Sequence, residues 1–280
     1  MNDDTRAGAA DEHDEAEGAE LPRRRRRGIY ILPNAITLAA LFAGFYAIVM
    51  AMNGRFEQAC IGIFVAAVLD SLDGRVARMT HSQSAFGEQM DSLSDMVSFG
   101  AAPALIVYTW ALHGLGKIGW VPAFVYLAGA ALRLARFNVN LSVVDKRFFQ
   151  GLPSPAAAAL VMGLIWVMDD AGLKGAGKVE WLEWSAFGVT LYAGLSMVTN
   201  APFYSFKVVG GRRTVPFVVL VAIALAIVLI ALNPPRALFA IFCVYGLSGY
   251  AVYGWRRAKG QRTSVIAVST DEPEEKGLHP

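Results

Sequence analysis

Long stretches of this chain carry no charged side chain. Residues 28–54, 96–116, 148–168, 184–206, 214–235 and 237–255 are charge-free and mostly apolar. A bilayer core is about 30 Å thick, and a helix needs roughly 20 apolar residues to cross it. Each run meets or nearly meets that length. Two shorter runs, 58–69 and 118–132, reach it only by continuing into charged residues. These are Asp70, Asp73, Arg75 and Arg78 after the first, and Arg133 and Arg136 after the second. The pattern predicts an all-α polytopic membrane bundle of about eight transmembrane helices. Polar groups sit on the ends of the second, third and fourth.

Composition supports the membrane reading. Hydrophobic residues are 55%, charged residues 17% and mean hydropathy +0.42, against about 25% charge in a soluble domain. Of the 23 acidic residues, eight lie in 1–22 and four in 271–275. An ordinary soluble enzyme, a disordered protein and a nucleic-acid binder are excluded. Basic residues give the orientation, because they gather on the cytoplasmic side. Arg23 to Arg27 precede the first helix. Alternation then puts Arg75, Arg78, Arg133, Arg136, Lys146, Arg147, Lys207, Arg212, Arg213, Arg256, Arg257, Lys259 and Arg262 on the same side. The opposite side receives Arg55, Lys117, Lys174, Lys178 and Arg236. Both termini are expected to be cytoplasmic. The expected division is an acidic tail over 1–28 ending in a polybasic anchor, a membrane catalytic domain over 29–257, and a cytoplasmic tail over 258–280. The arginine run is a topology anchor and a candidate contact for anionic lipid. Cys60 and Cys243 sit in apolar runs and read as small core residues.

Acidic side chains within membrane helices are expensive and mark function by default. Here they come in two pairs. Asp70 and Asp73 are three apart, Asp91 and Asp95 four apart, so each pair occupies one helix face. A short loop near 80–87 makes the two helices antiparallel and brings both pairs to the cytoplasmic end. Four carboxylates at one point repel unless cations lie among them, and hard oxygen donors suit Mg²⁺, Mn²⁺ or Ca²⁺ rather than zinc. Solvated helix ends would explain one pair, not two with helical spacing. Gly74, Ala77 and Gly87 leave room for a bulky polar ligand against the backbone. Arg78 nearby suits a phosphate. The residues thus point to a cytoplasm-facing divalent-metal site that holds a phosphorylated ligand.

Asp70, Asp73, Gly74, Ala77, Arg78, Gly87, Asp91 and Asp95 read D-x2-D-G-x2-A-R-x8-G-x3-D-x3-D. This resembles the signature of the CDP-alcohol phosphatidyltransferase family at all eight positions, and the resemblance extends from about Ile29 to Arg257. It implies a helical membrane enzyme, usually homodimeric, that uses divalent metal, Mg²⁺ or Mn²⁺, as two ions. It implies a substrate with a cytidine diphosphate head and a lipid tail. By motif position, Asp70, Asp73, Asp91 and Asp95 resemble the metal-binding residues, and Asp95 also the general base. Gly74, Ala77, Arg78 and Gly87 resemble the positions lining the CDP moiety. Pro33, Asn34 and Thr37 resemble a further element of the family, which makes Asn34 and Thr37 candidates for nucleotide binding. A plain helix start explains them equally.

Three more segments, SFGAAPA (98–104), RLARFN (133–138) and FQGLPSPAAAA (149–159), resemble the membrane-integral branch that uses L-serine. The resemblance implies transfer of the phosphatidyl group from CDP-diacylglycerol to the serine hydroxyl, with release of CMP, at the inner membrane of a bacterium. Arg133 and Arg136 are candidates for the serine carboxylate or the lipid phosphate, or are topology anchors. Asn138 is a candidate hydrogen-bonding partner. Gly151 to Pro155 must break helix geometry. Rival readings are a sister transferase acting on glycerol 3-phosphate or an inositol phosphate, a divalent-cation transporter, and a structural membrane protein. A transporter would want acidic residues on both sides of the midplane, and a structural protein leaves the eight-position match without a cause.

Overall fold

The computed structural model describes residues 31–80, 82–139, 148–173, 175, 179–204 and 217–259. Both expected tails, save Ala258 and Lys259, lie outside these residues, as do Arg23 to Arg27, Lys146, Arg147, Lys174, Lys178, Lys207, Arg212, Arg213 and Arg262. The fold is helical. In chain order the helices are α1 (Ile31–Met52), α2 (Phe56–Met79), α3 (Ala85–Asp95), α4 (Ala102–Trp110), α5 (Trp120–Val139), α6 (Ser154–Asp170), α7 (Glu180–Val198), α8 (Phe217–Leu232) and α9 (Pro234–Ala258). A π-helical segment, Met96–Ala101, joins α3 to α4, and a 3₁₀ segment, Leu112–Ile118, follows α4. The apolar runs fall on these helices, with two differences. The third helical rod starts at Ala85, well before the charge-free run at 96, because Ser84 caps it by accepting from the Gly87 N–H at 3.1 Å. The runs 148–168 and 184–206 are helical only in part. Phe148–Gln150 (β1) and Pro202–Tyr204 (β2) pair as an antiparallel ribbon, Phe149 opposite Phe203.

Small residues determine which helices approach closely. Ala40, Ala43, Ala47 and Ala51 form a buried stripe on α1, at the i, i+3, i+4 spacing of one face. It meets Ala59, Gly62 and Ala66 of α2, and a Cβ on Gly62 would lie 3.1 Å from the Ala43 carbonyl. Gly54, at φ +73°, closes the turn between these helices. Helix α6 is buried continuously from Ala156 to Ile165 and packs against α2, α4, α7 and α9, so it forms the centre of the bundle. Four successive alanines at its start let four neighbours approach. By length and apolar content, Leu32–Met52 and Pro234–Ala258 suffice to cross a bilayer. Ala85–Trp110 with Leu112–Ile118, bent by 92°, makes up to one more. Other helices fall short of that measure for visible reasons. Helices α6 and α8 have 17 and 16 residues, and α2 carries Asp70, Asp73, Arg75 and Arg78.

Candidate active site

The acidic pairs project from the later turns of α2 and of α3. Asp70, Asp91 and Asp95 converge: a carboxylate oxygen from each lies within 4.8 Å of the others. Oxygens held around one hard divalent cation at about 2.0–2.6 Å are at most about 5 Å apart, so this trio fits such an ion. Two helices supply it, which makes the site depend on the α2–α3 hairpin. Asp73 is not in that trio. It is buried, and the Thr37 hydroxyl of α1 lies 2.7 Å from its Oδ2 and 3.1 Å from the Pro33 carbonyl. The expected convergence of four carboxylates is therefore three at one point and a fourth turned toward α1. An offset of three residues on α2 rotates Asp73 away from Asp70 far enough for the neighbouring helix to reach it.

The other motif positions lie on the same three helices. A Cβ on Gly87 would lie 3.2 Å from Asn34 Oδ1, so the start of α1 sits directly over the start of α3. Arg78 is exposed on the last turn of α2. Its Nη1 curls back to within 3.4 Å of where a Gly74 Cβ would be. Ala77 is half-buried between them. Asn34, Thr37, Gly74, Ala77, Arg78 and Gly87 thus belong to the neighbourhood of α1, α2 and α3. Two serines tie α1 to the rod that carries Asp91 and Asp95: Ser94 Oγ donates to Thr37 O and Ser98 Oγ to Ala40 O, each at 3.3 Å.

The π-helical segment begins immediately after Asp95. Pro103 has no N–H, so the carbonyl four residues earlier, on Phe99, lacks its α-helical donor. The fully buried Tyr126 hydroxyl of α5 donates to that carbonyl at 2.9 Å. This bond sets the register of α5 against the site. Further along, Asn138 Nδ2 donates to Ser92 Oγ at 3.1 Å. Arg133 lies between these two contacts along α5, at the level of Asp95, and the two groups are in electrostatic reach of each other.

The three weaker candidates separate cleanly. Arg133 Nη1 donates to Ser154 Oγ at 2.8 Å, while its Nε is buried with no hydrogen-bond partner among the described residues. Arg136 is committed elsewhere. Its Nη1 donates to Val198 O and to Asn200 Oδ1, both at 3.2 Å, and Gln150 Nε2 donates to the same Asn200 oxygen at 2.6 Å. It clamps the end of α7 to the ribbon. Asn138 faces Ser92 at the rim. Ser154 was not singled out by the sequence reading. Its only signal is a hydroxyl between two prolines at the head of a helix that is apolar as far as Met168.

Comparison with known proteins gives the same grouping. The family model for CDP-alcohol phosphatidyltransferase matches residues 30–198, which contain every residue of this site. A CDP-diacylglycerol–serine O-phosphatidyltransferase of Helicobacter pylori (strain J99) is 36% identical over 226 residues, 81% of this chain and 90% of that protein. The protein of the same name from Mycobacterium bovis is 32% identical, covering 79% of this chain and 78% of its own length. An archaetidylserine synthase of Methanothermobacter thermautotrophicus is 39% identical over 132 residues, 46% of this chain and 55% of that protein. A match over more than half the chain, centred on an acidic trio shared by two helices, shows that the chain belongs to the CDP-alcohol phosphatidyltransferase family.

Proposed function

We propose that this chain transfers the phosphatidyl group of CDP-diacylglycerol to the hydroxyl of L-serine, giving phosphatidylserine and CMP. The observation that carries the reading is the convergence of Asp70, Asp91 and Asp95 within a family motif. The serine acceptor follows from the relatives' names. Asp70, Asp91 and Asp95, with Asp73 as a further ligand from its place against α1, would hold divalent metal, Mg²⁺ or Mn²⁺, as two ions. When bound, the metal supplies positive charge that screens the pyrophosphate and the leaving CMP. Arg78, Gly74, Ala77 and Gly87, with Asn34 and Thr37, receive the CDP head. Thr37 holds Asp73 in place. Asp95 accepts the proton from the serine hydroxyl, whose oxygen then bonds to the phosphorus that carries diacylglycerol as the bond to CMP breaks. Such a positioned base contributes typically ~10²- to 10⁴-fold in rate.

The same reading takes 29–257 as the catalytic unit, with tails at 1–28 and 258–280. It takes the chain as a multi-pass protein of a bacterial inner membrane, both termini cytoplasmic, acting as a homodimer. The deciding experiment is purified protein in detergent with CDP-diacylglycerol and Mg²⁺ or Mn²⁺, offered L-serine, glycerol 3-phosphate or an inositol phosphate in parallel. CMP should be released with L-serine alone. Release with a phosphorylated acceptor and none with serine would assign the chain to a sister activity.

A further inference from the structure

We infer that Ser154 is a positioning residue, holding the Arg133 guanidinium so that its Nε edge receives the carboxylate of the amino-acid acceptor. Four observations converge on this. Ser154 is fully buried and accepts from Arg133 Nη1 at 2.8 Å, which fixes one edge of the guanidinium. The Nε is buried and unbonded among the described residues, although a buried guanidinium N–H ordinarily finds an acceptor. Ser154 opens α6, a 17-residue helix, so the positive end of that helix is aimed at the same place. The register of α5, set by Tyr126 on Phe99 O and Asn138 on Ser92, puts Arg133 at the level of Asp95. A planar two-oxygen anion is what a guanidinium edge binds best.

A phosphate has the same attraction for this edge, and position decides between the two anions. The inference rests on the proposed serine reading. There Asp95 faces the acceptor hydroxyl, and in serine the carboxylate is only three bonds from that oxygen. A group that grips the carboxylate must therefore lie near the level of Asp95, where the α5 register puts Arg133. The candidate pyrophosphate residues lie instead toward α1 and the end of α2. Arg136 and Asn138 do not compete for the role, since the first is bound to Val198 and Asn200 and the second to Ser92.

The test is steady-state kinetics of the full chain with Ser154→Ala, Ser154→Thr and Arg133→Ala. Ser154→Ala should raise KM for L-serine roughly tenfold, the scale of one charged hydrogen bond. KM for CDP-diacylglycerol should stay unchanged and Ser154→Thr should restore the wild-type value. Preference for L-serine over L-serinamide, which lacks the negative charge, should shrink in Ser154→Ala and vanish in Arg133→Ala. An unchanged serine KM in a folded Ser154→Ala protein overturns the inference, as does a rise confined to CDP-diacylglycerol, which assigns the edge to phosphate. Wild-type protein inert toward serine would instead defeat the underlying serine reading.

Discussion

In the proposed reaction, Asp95 is the residue on which the chemistry turns. It stands where α3 passes into the π-helical segment, one of three carboxylates within 4.8 Å of one another and in electrostatic reach of Arg133. Short π-helical insertions occur often at functional sites, because the extra residue re-aims the side chains around it. Asparagine has the same shape as aspartate and takes no proton. Asp95→Asn should therefore lower turnover by the ~10²–10⁴-fold that a general base contributes, with CDP-diacylglycerol binding retained. Turnover and equilibrium binding measured on one preparation check this, and wild-type turnover would remove Asp95 from that role. Individual site residues were legible from the sequence when their spacing was helical. The i, i+3 and i, i+4 acidic pairs pointed to the helices on which three carboxylates converge. Separating Asp73 from the other three needed the third dimension, because its partner Thr37 lies 36 residues away. Ser154 was hidden for the same reason: its partner lies 21 residues back, on another helix.

At the scale of elements, close helix contacts aim the site. Helices α5 and α7 touch through glycine. A Cβ on Gly129 would run into the Gly194 carbonyl oxygen, and it would lie 3.1 Å from the carbonyl carbon. Backbone cannot move aside as a side-chain tip can. Gly129→Ala should thus destabilise by about 1–3 kcal/mol through overpacking, despite the gain of up to about 1 kcal/mol in helix propensity. Among the described residues, a Cβ on Gly188 of α7 would meet nothing within 4 Å, so Gly188→Ala should be neutral or stabilising. Thermal unfolding of the two variants in detergent compares them, and equal shifts would contradict the packing account. The helices themselves were readable as charge-free runs. Their ends were not. Apolar counting starts a helix where charge stops, so it missed the amphipathic turns of α3. It also could not distinguish strand from helix at 148–150 and 202–204, where the residues are apolar either way.

For the whole molecule, burial and exposure are arranged as a bilayer demands. The most continuously buried helix, α6, is lined by small residues. Large apolar side chains such as Phe42, Phe45, Val68, Leu225, Ile227 and Val244 stay exposed on outer faces of α1, α2, α8 and α9. The polar residues named here collect toward the junction of α2 with α3, the end of α5 and the start of α6. The central claim is that Asp70, Asp91 and Asp95 jointly hold divalent metal between two helices. Mn²⁺ titration of the detergent-purified protein, followed by electron paramagnetic resonance, tests it without requiring turnover. Asp70→Asn and Asp91→Asn should each weaken binding by at least the ~10–100-fold that loss of even an outer-shell partner causes, with the wild-type melting temperature kept. Wild-type Mn²⁺ affinity in both folded variants would contradict it.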